Sequence, residues 1–354
     1  MRKKKIVFIT PGVEIGGAEK QLALLAKGLS QDGFAPLVIA LSQSMKRHRL
    51  SDFNGLKVIE VDCKKLSQFP YSVWKIYRIV KDYEPDVIQG WMYAGNIMAS
   101  IVGVGTDSII YHSLRASNMD NKRYGRIIKL NALLSVYANG VIANSQTGAE
   151  HHISCGFSSE NMLIIPNGID TGKFFPDKKS GESIRQELGV ADGTQLVLYA
   201  ARVDPMKGHQ TVISVANLCP DIQFIFVGKG TDSLDVPKNV SVLGVRNDMQ
   251  KIYNACDLVL SLSSFGEGFP NVIGEAMACG TMVIANNVGD SWIVIGDKGL
   301  KLAPYDNKTV LSEQLKTVVG SLNKLSKSKI REQITTLYSV EKMIEKYKEE
   351  YSKA

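Results

Sequence analysis

Two carboxylates eight residues apart, Glu267 and Glu275, stand in the segment SSFGEGFPNVIGEAMACG (263–280) around a Gly-Phe-Pro-Asn turn. Negative charge near a helix start is ordinary, because the N-terminal end of the helix dipole favours it. That accounts for Glu275, one turn into a helix expected from about Val272 to Ala278 with Pro270 in its first turn. It does not account for Glu267, which precedes the helix in a loop with glycines at 266 and 268. The two carboxylates therefore sit at two depths along any bound ligand, with the N–H groups of Gly268–Asn271 between them. A carboxylate accepts two hydroxyl hydrogen bonds, which suits the vicinal diols of a ribose or a hexose. The bland alternative is a loop carboxylate beside a helix-start carboxylate.

Cations lie in YAARVDPMKGHQ (199–210), where Arg202 and Lys207 follow a strand, around Asp204-Pro205, and precede a helix. Arg offers a planar fork of donors and Lys a compact charge, so the two could converge on a pair of phosphates. A solvated rim is the competing reading. In PGVEIGGAEKQ, Gly16 and Gly17 follow a strand and open a helix. Glycines there let the backbone approach an anion, and the helix end favours its charge. The third glycine of the dinucleotide fingerprint is missing, which disfavours a nicotinamide site. A tight turn with no ligand explains the same residues.

These motifs need strands and helices to hold them. Short β-branched runs alternate with helical patterns along the chain, the mark of parallel α/β architecture. Strands are expected at Ile6–Thr10, Pro36–Leu41, Val58–Val61, Val87–Gly90, Ser108–Tyr111 and Val141–Asn144. The segment IIPNGID (164–170) closes this series and TGKFFPDKKSG reads as a linker. A second series follows at Gln195–Ala201, Gln223–Gly228, Val240–Leu243, Leu258–Ser261, Met282–Ala285 and Gly299–Leu302. Two such series imply two Rossmann-like, doubly wound domains facing a cleft, 1–165 and 166–335. A terminal helix, 336–354, is expected to pack back on the first domain through Val340, Met343, Ile344, Tyr347 and Tyr351.

Composition narrows the classes. The chain has 354 residues, 44% hydrophobic and 22% charged, as soluble globular proteins do. No apolar run reaches the ~18–20 residues of a spanning helix. The opening MRKKKIVFIT reads as a first strand rather than a leader, because its apolar part is short and a Pro-Gly turn follows. Five scattered cysteines without a C-x-x-C pair argue against a disulfide framework or a zinc site and for a reducing cytoplasm. Net charge is +7, and residues 1–165 carry 20 Lys+Arg against 13 Asp+Glu. A basic first half is suited to anions, whether lipid, nucleic acid or phosphorylated substrate. Nucleic acid is disfavoured, since no basic helix-turn-helix or basic-aromatic strand platform is present.

Taken in order, the motifs resemble the retaining glycosyltransferases of family 4, which have the GT-B architecture. The resemblance rests on Glu267–Glu275 as an E-x7-E element, Arg202 and Lys207 as an R-x4-K pair, the GGAE loop, IPNGID, GVRNDMQKIYNACDLVLSLS and the terminal SVEKMIEKY. It covers nearly the whole chain and is strongest over 164–290. It implies that Arg202 and Lys207 bind the donor diphosphate and neutralise the leaving nucleotide. It further implies that Glu275 takes the ribose hydroxyls, while Glu267 with the backbone of Phe269, Pro270 and Asn271 holds the transferred sugar. Gly16 and Gly17 would contact the diphosphate or the acceptor, and the backbone around Val245-Arg246 the nucleobase. No metal or other cofactor is implied, and no side-chain nucleophile. Many family members carry a His near the anomeric centre; here Arg115 aligns with that place and His112 lies three residues earlier, so the roles of both stay open.

The acceptor side is expected on the first domain. NMDNKRYGRIIKLNALLSVY gathers Lys122, Arg123, Arg126 and Lys129 beside apolar residues, and FPYSVWKIYRIVKDY mixes Tyr71, Trp74 and Tyr77 with Lys75, Arg78 and Lys81. Such faces suit anionic headgroups, or they are core stripes with solvated backs. The resulting expectation is a cytoplasmic, peripherally membrane-bound enzyme. It would move a hexose or N-acetylhexosamine from a UDP-sugar to a saccharide or polyprenyl-linked acceptor in surface-polysaccharide assembly. A sugar-nucleotide epimerase of the same architecture is the second reading; it would need acid/base side chains around the sugar, and none beyond Glu267 is found. A sugar-nucleotide-binding accessory protein is the third.

Overall fold

The computed structural model describes residues 2–14, 16–42, 51–63, 68–117, 121–298, 300–301, 307–321 and 326–353, without the side chains of 121–123 and 300–301. The Lys122 and Arg123 side chains and the strand ends Gly299 and Leu302 singled out above thus lie outside the described residues. The chain splits into two compact units: Met1–Gly168 with Val340–Ala354 (unit 1), and Ile169–Ser339 (unit 2).

Unit 1 begins with β1 (Lys5–Thr10), α1 (Gly17–Gln31), β2 (Ala35–Ala40), β3 (Lys57–Glu60) and α2 (Phe69–Tyr83). It continues with β4 (Val87–Gly90), α3 (Met92–Gly103), β5 (Ile109–Leu114), α4 (Asn121–Ser135), β6 (Gly140–Ala143), α5 (Gln146–Ser154) and β7 (Met162–Ile164). Unit 2 opens with α6 (Lys178–Glu187), β8 (Leu196–Ala200), α7 (His209–Leu218), β9 (Gln223–Val227), β10 (Val240–Val242) and α8 (Met249–Ala255). There follow β11 (Leu258–Ser261), α9 (Asn271–Ala278), β12 (Met282–Ala285), α10 (Ser291–Ile295), β13 (Leu300–Lys301), α11 (Lys308–Val319) and α12 (Lys327–Leu337). The last helix, α13 (Val340–Tyr351), belongs to unit 1.

Among the described residues every strand pairing is parallel, with order β3-β2-β1-β4-β5-β6-β7 in unit 1 and β10-β9-β8-β11-β12-β13 in unit 2. Both are Rossmann-like sheets, and each reverses its strand order once, between β1 and β4 and between β8 and β11. Ligands of such sheets bind at the carboxyl ends of the strands beside that reversal. Strand residues are buried on both faces, which is why β1 reads KIVFIT rather than as an alternation. Alternate β1 side chains serve two layers: Ile6 and Phe8 pack with α1 and α13, Val7 and Ile9 with α2 and α3.

The helix α13 docks through Met343, Ile344, Tyr347 and Tyr351, all buried. Its seat on α1 requires Gly28, where a Cβ would overlap Ile344 Cδ1. All of the net charge lies on unit 1, with 24 Lys+Arg against 17 Asp+Glu, while unit 2 has 18 of each.

Two expectations are corrected. The segment read as a linker, 171–181, is packed structure: Phe174 is buried at 2% exposure and Asp177 caps α6 by accepting from Ser180 N. Its polar residues are a helix cap and first turn, not a flexible joint. The strand expected at Ser108–Tyr111 runs instead over Ile109–Leu114, so His112 and Ser113 lie inside the sheet.

Candidate functional site

In unit 2 the strand reversal is flanked by the β8–α7 and β11–α9 loops, and these carry Arg202, Lys207 and Glu267. Asp204 organises the first loop. Its carboxylate accepts from Met206 N at 3.1 Å and so caps the short turn Pro205–Lys207. Gly208, at φ +70, then turns the chain into α7, and its Cα lies so near Leu262 O that a Cβ would sit at 2.7 Å. Ser264 N donates to Met206 O at 2.7 Å and ties the two loops together.

That tie brings Lys207 and Glu267 into an ion pair, sixty residues apart in sequence and about 17–18% exposed. Ser263 Oγ donates to the same Glu267 oxygen, Oε1, at 2.6 Å. Ser263 is fixed in turn by Asn286, whose amide donates to its carbonyl at 2.5 Å. Behind Glu267 stands Gly289 at φ +59, where a Cβ would lie 2.6 Å from Glu267 O and 2.5 Å from Gly268 O. Arg202 lies further out: its side chain is 61% exposed and pairs with Asp204 at 3.1 Å. The structure therefore brings Lys207 and Glu267 together and sets Arg202 on the rim.

The helix α9 starts at Asn271 with Pro270 as its cap, in extended conformation. Phe269 is buried at 5% and packs on Tyr338, with ring centroids 5.3 Å apart, which anchors the turn. Glu275 is 9% exposed, one turn in, and its Oε2 accepts from Tyr253 Oη at 3.0 Å. Burial, then the neighbouring Glu275, push the Tyr253 hydroxyl well above its ordinary pKa. Arg246 follows β10, and its guanidinium is clamped by Asp248 at 2.7 Å and Glu187 at 2.7 Å. Its side chain is committed to that clamp. Val245 beside it is 62% exposed and Gly244 turns at φ +61.

The unit 1 residues are disposed differently. Gly16 caps α1, and the Glu19 carboxylate curls over it so closely that a Cβ on Gly16 would overlap Glu19 Oε2. Burial raises the pKa of Glu19, its own N–H opposes, and Glu14 adds to the rise. The anion expected against Gly16 and Gly17 thus meets a carboxylate already lying against Gly16. Arg115, at the end of β5, stacks on Trp91 at 3.6 Å and donates to Tyr347 Oη at 2.6 Å and Asn167 Oδ1 at 3.1 Å. Its side chain holds α13 and the end of unit 1 rather than an exposed position. His112 is a core residue: fully buried, bonded to Ser100 Oγ at 2.8 Å, with burial lowering its pKa to about 4.

Sequence reasoning did not find Ser263, Tyr253, Asp204 or Trp91. Asp204 had a signal, an Asp-Pro pair before a turn. Ser263 had only its place four residues before Glu267. Tyr253 had none, because its contact spans two helices. Among the described residues, no group of three His, Cys, Asp or Glu side chains is arranged to hold a metal ion, and no helix is long and apolar enough to cross a membrane.

Residues 180–333 match the family profile described as "Glycosyl transferases group 1" and residues 15–173 the profile "Glycosyltransferase Family 4". Each covers a little under half of the chain, and the boundary between them falls near that of the two units. Among curated proteins, D-inositol 3-phosphate glycosyltransferase of Segniliparus rotundus is 29% identical over 178 residues, 45% of this chain and 39% of its own length. The UDP-Gal:alpha-D-GlcNAc-diphosphoundecaprenol alpha-1,3-galactosyltransferase of Escherichia coli is 27% identical over 215 residues, 54% of each chain. The chain thus spans about two fifths to a half of the curated relatives it matches. Among solved structures, Anabaena HepE in complex with UDP-glucose superposes with a TM-score of 0.87 at 24% identity, over 99% of this chain and 100% of that one. The fold is the two-domain α/β class of the GT-B glycosyltransferases.

Proposed function

We propose that this chain is a glycosyltransferase that moves a sugar from a UDP-hexose or UDP-N-acetylhexosamine to a hydroxyl of a saccharide or lipid-linked saccharide. The observation that carries the reading is the Lys207–Glu267 pair at the strand reversal of unit 2, with Glu275 one turn into the following helix. The similar protein from Anabaena, crystallised with UDP-glucose, and the Escherichia coli relative, named for UDP-Gal and a diphosphoundecaprenol acceptor, support the donor and acceptor classes.

In this reading the resting pair holds two charges ready. When the donor diphosphate arrives, the Lys207 ammonium turns to it, and Arg202 closes on it from the rim. Charge that develops on the leaving phosphate is met by cations already in position, and such preorganised electrostatics supplies most of the acceleration in a transfer of this kind. Glu267, still held by Ser263, accepts hydroxyls of the sugar, with the N–H groups from Phe269 to Asn271 beside it. Glu275 takes the ribose, and the backbone of Val245 and Arg246 takes the base. The leaving phosphate accepts the proton of the attacking hydroxyl on the same face, so the anomeric configuration is retained without a metal or a protein nucleophile. Unit 1, which carries the basic surplus, supplies the acceptor side. Its exposed Tyr71, Trp74, Leu133 and Tyr137 with Arg78 and Lys129 suit a peripheral seat on anionic lipid at the inner face of a membrane.

The test is slow donor hydrolysis followed by NMR. Release of UDP with a sugar of retained configuration supports transfer. Interconversion of one UDP-sugar into its epimer would replace this reading with the epimerase one, and no turnover of any nucleotide sugar would contradict both.

A further inference from the structure

We propose that Tyr253 is a positioning residue that gives the donor site its preference for ribose over 2′-deoxyribose by fixing the carboxylate of Glu275. The inference rests on the assignment of Glu275 to the ribose diol and adds the group on which that recognition depends.

The terminal torsion of a glutamate side chain is broad and nearly two-fold, so a carboxylate left to itself presents its oxygens over a wide range of planes. Accepting from two vicinal hydroxyls at once demands a narrow range. Here a donor is supplied from another helix. Tyr253 lies on α8, 22 residues before Glu275, and its hydroxyl donates to Oε2 at 3.0 Å. The hydroxyl cannot wander, because the ring is 1% exposed and Phe174 meets it edge-on at 6.0 Å and 65°. The Tyr253 carbonyl is held as well, accepting from Thr281 Oγ1 at 2.8 Å. Burial and the adjacent carboxylate keep the phenol protonated, so it acts as a donor throughout the working pH range. A buried hydroxyl needs some acceptor, and a backbone carbonyl would satisfy it. This one is spent instead on a carboxylate one turn into the helix that follows Glu267, where the fold already points to a ligand.

A hydrogen bond to a charged group is worth enough that losing it costs roughly ten- to a hundredfold in an equilibrium. The probes are UDP and 2′-deoxy-UDP, bound to the full chain and followed by calorimetry. Wild type is expected to prefer UDP by about tenfold or more, and Glu275→Gln to lose that preference. Tyr253→Phe, which keeps the ring and removes only the hydroxyl, is expected to bind UDP about tenfold more weakly and to bring the UDP to deoxy-UDP ratio to within about threefold of unity. A purely structural tyrosine would lower the melting temperature of Tyr253→Phe and leave the ratio intact; that result overturns the proposal while sparing the Glu275 assignment. If wild type shows no ribose preference, or Glu275→Gln keeps it, the assignment itself falls and this inference with it.

Discussion

The sheets of units 1 and 2 both reverse strand order once, yet the ends of their strands are filled in opposite ways. In unit 1 the charged and polar groups beside the reversal are spent on the fold: Trp91 donates its indole N–H to Ala18 O at 3.0 Å, Arg115 stacks on it, and Tyr347 caps the guanidinium from α13. In unit 2 they face one another. Lys207 and Ser263 converge on one oxygen of Glu267, and Gly208 and Gly289 let the loops approach closely enough for that meeting. One architecture thus stabilises a returning helix at one site and assembles a charged constellation at the other. A buried charge satisfied by the core contributes to structure; a pair within reach of solvent, held by its own loops, can be handed to a ligand.

Catalysis should separate the two units most sharply. Glu267→Gln and Lys207→Ala are each expected to cut sugar transfer by about 100-fold or more, the scale of losing a preorganised electrostatic contact. Arg115→Met is expected to keep transfer within about tenfold of wild type and to lower the melting temperature, since it leaves the Tyr347 hydroxyl short of a partner at a cost of roughly 1–3 kcal/mol. Steady-state kinetics with a melting scan separates the two outcomes. Inverted results would move the chemistry to unit 1 and dissolve the contrast.

Acid should separate them next. His112 and His152 of unit 1 are both fully buried, and burial lowers each pKa to about 4, opposed for His152 by its bond to Gly148 O and helped by His151. The unfolded chain titrates near 6.5, so between about pH 6.5 and 4 it binds protons that the folded form refuses, and stability falls with pH across that window. Each histidine contributes up to about 3 kcal/mol of loss, complete once pH has passed below 4. Urea midpoints at pH 7 and pH 4.5, read by hydrogen exchange in each unit, are expected to fall most in unit 1, and His112→Asn to remove part of that fall.

The surface of unit 1 should respond most mildly. Tyr71 and Trp74 stack on each other at 6.0 Å, are 63% and 55% exposed, and lie beside Arg78 on α2. Replacing both with Ser is expected to weaken pelleting with phosphatidylglycerol vesicles by several-fold at low salt, because it removes the apolar surface that would seat among the headgroups, with no effect on hydrolysis of a soluble donor. Equal pelleting of wild type and variant would detach this face from any membrane role.

Local chemistry was legible in the sequence and distant chemistry was not. The 263–280 and 199–210 segments place their charges by short-range rules: a strand end, a glycine turn, a capped helix. Glu267 in the loop and Glu275 one turn into α9 follow from those rules and stand so in the structure. The burial of α13 was readable from the spacing of Met343, Ile344, Tyr347 and Tyr351. What escaped depends on contacts across the chain. Arg115 meets Asn167 and Tyr347, 52 and 232 residues away, and Arg246 meets Glu187, 59 residues away. Nothing near Arg115 distinguishes a committed side chain from one awaiting a ligand, and for Arg246 the only local sign was Asp248 two residues on. The 171–181 segment misled because Gly, Pro, Asp and Lys signal a flexible linker and a helix start alike.

If unit 2 holds the donor through Lys207, Glu267 and Glu275, the nucleotide must leave its imprint on the loops that carry them. Hydrogen exchange of the full chain with and without UDP reads that imprint. UDP is expected to slow exchange over 204–208, 244–247 and 268–275, and Lys207→Ala to abolish the slowing over 204–208. Protection confined to unit 1, with these three segments unchanged at saturating UDP, would contradict the assignment.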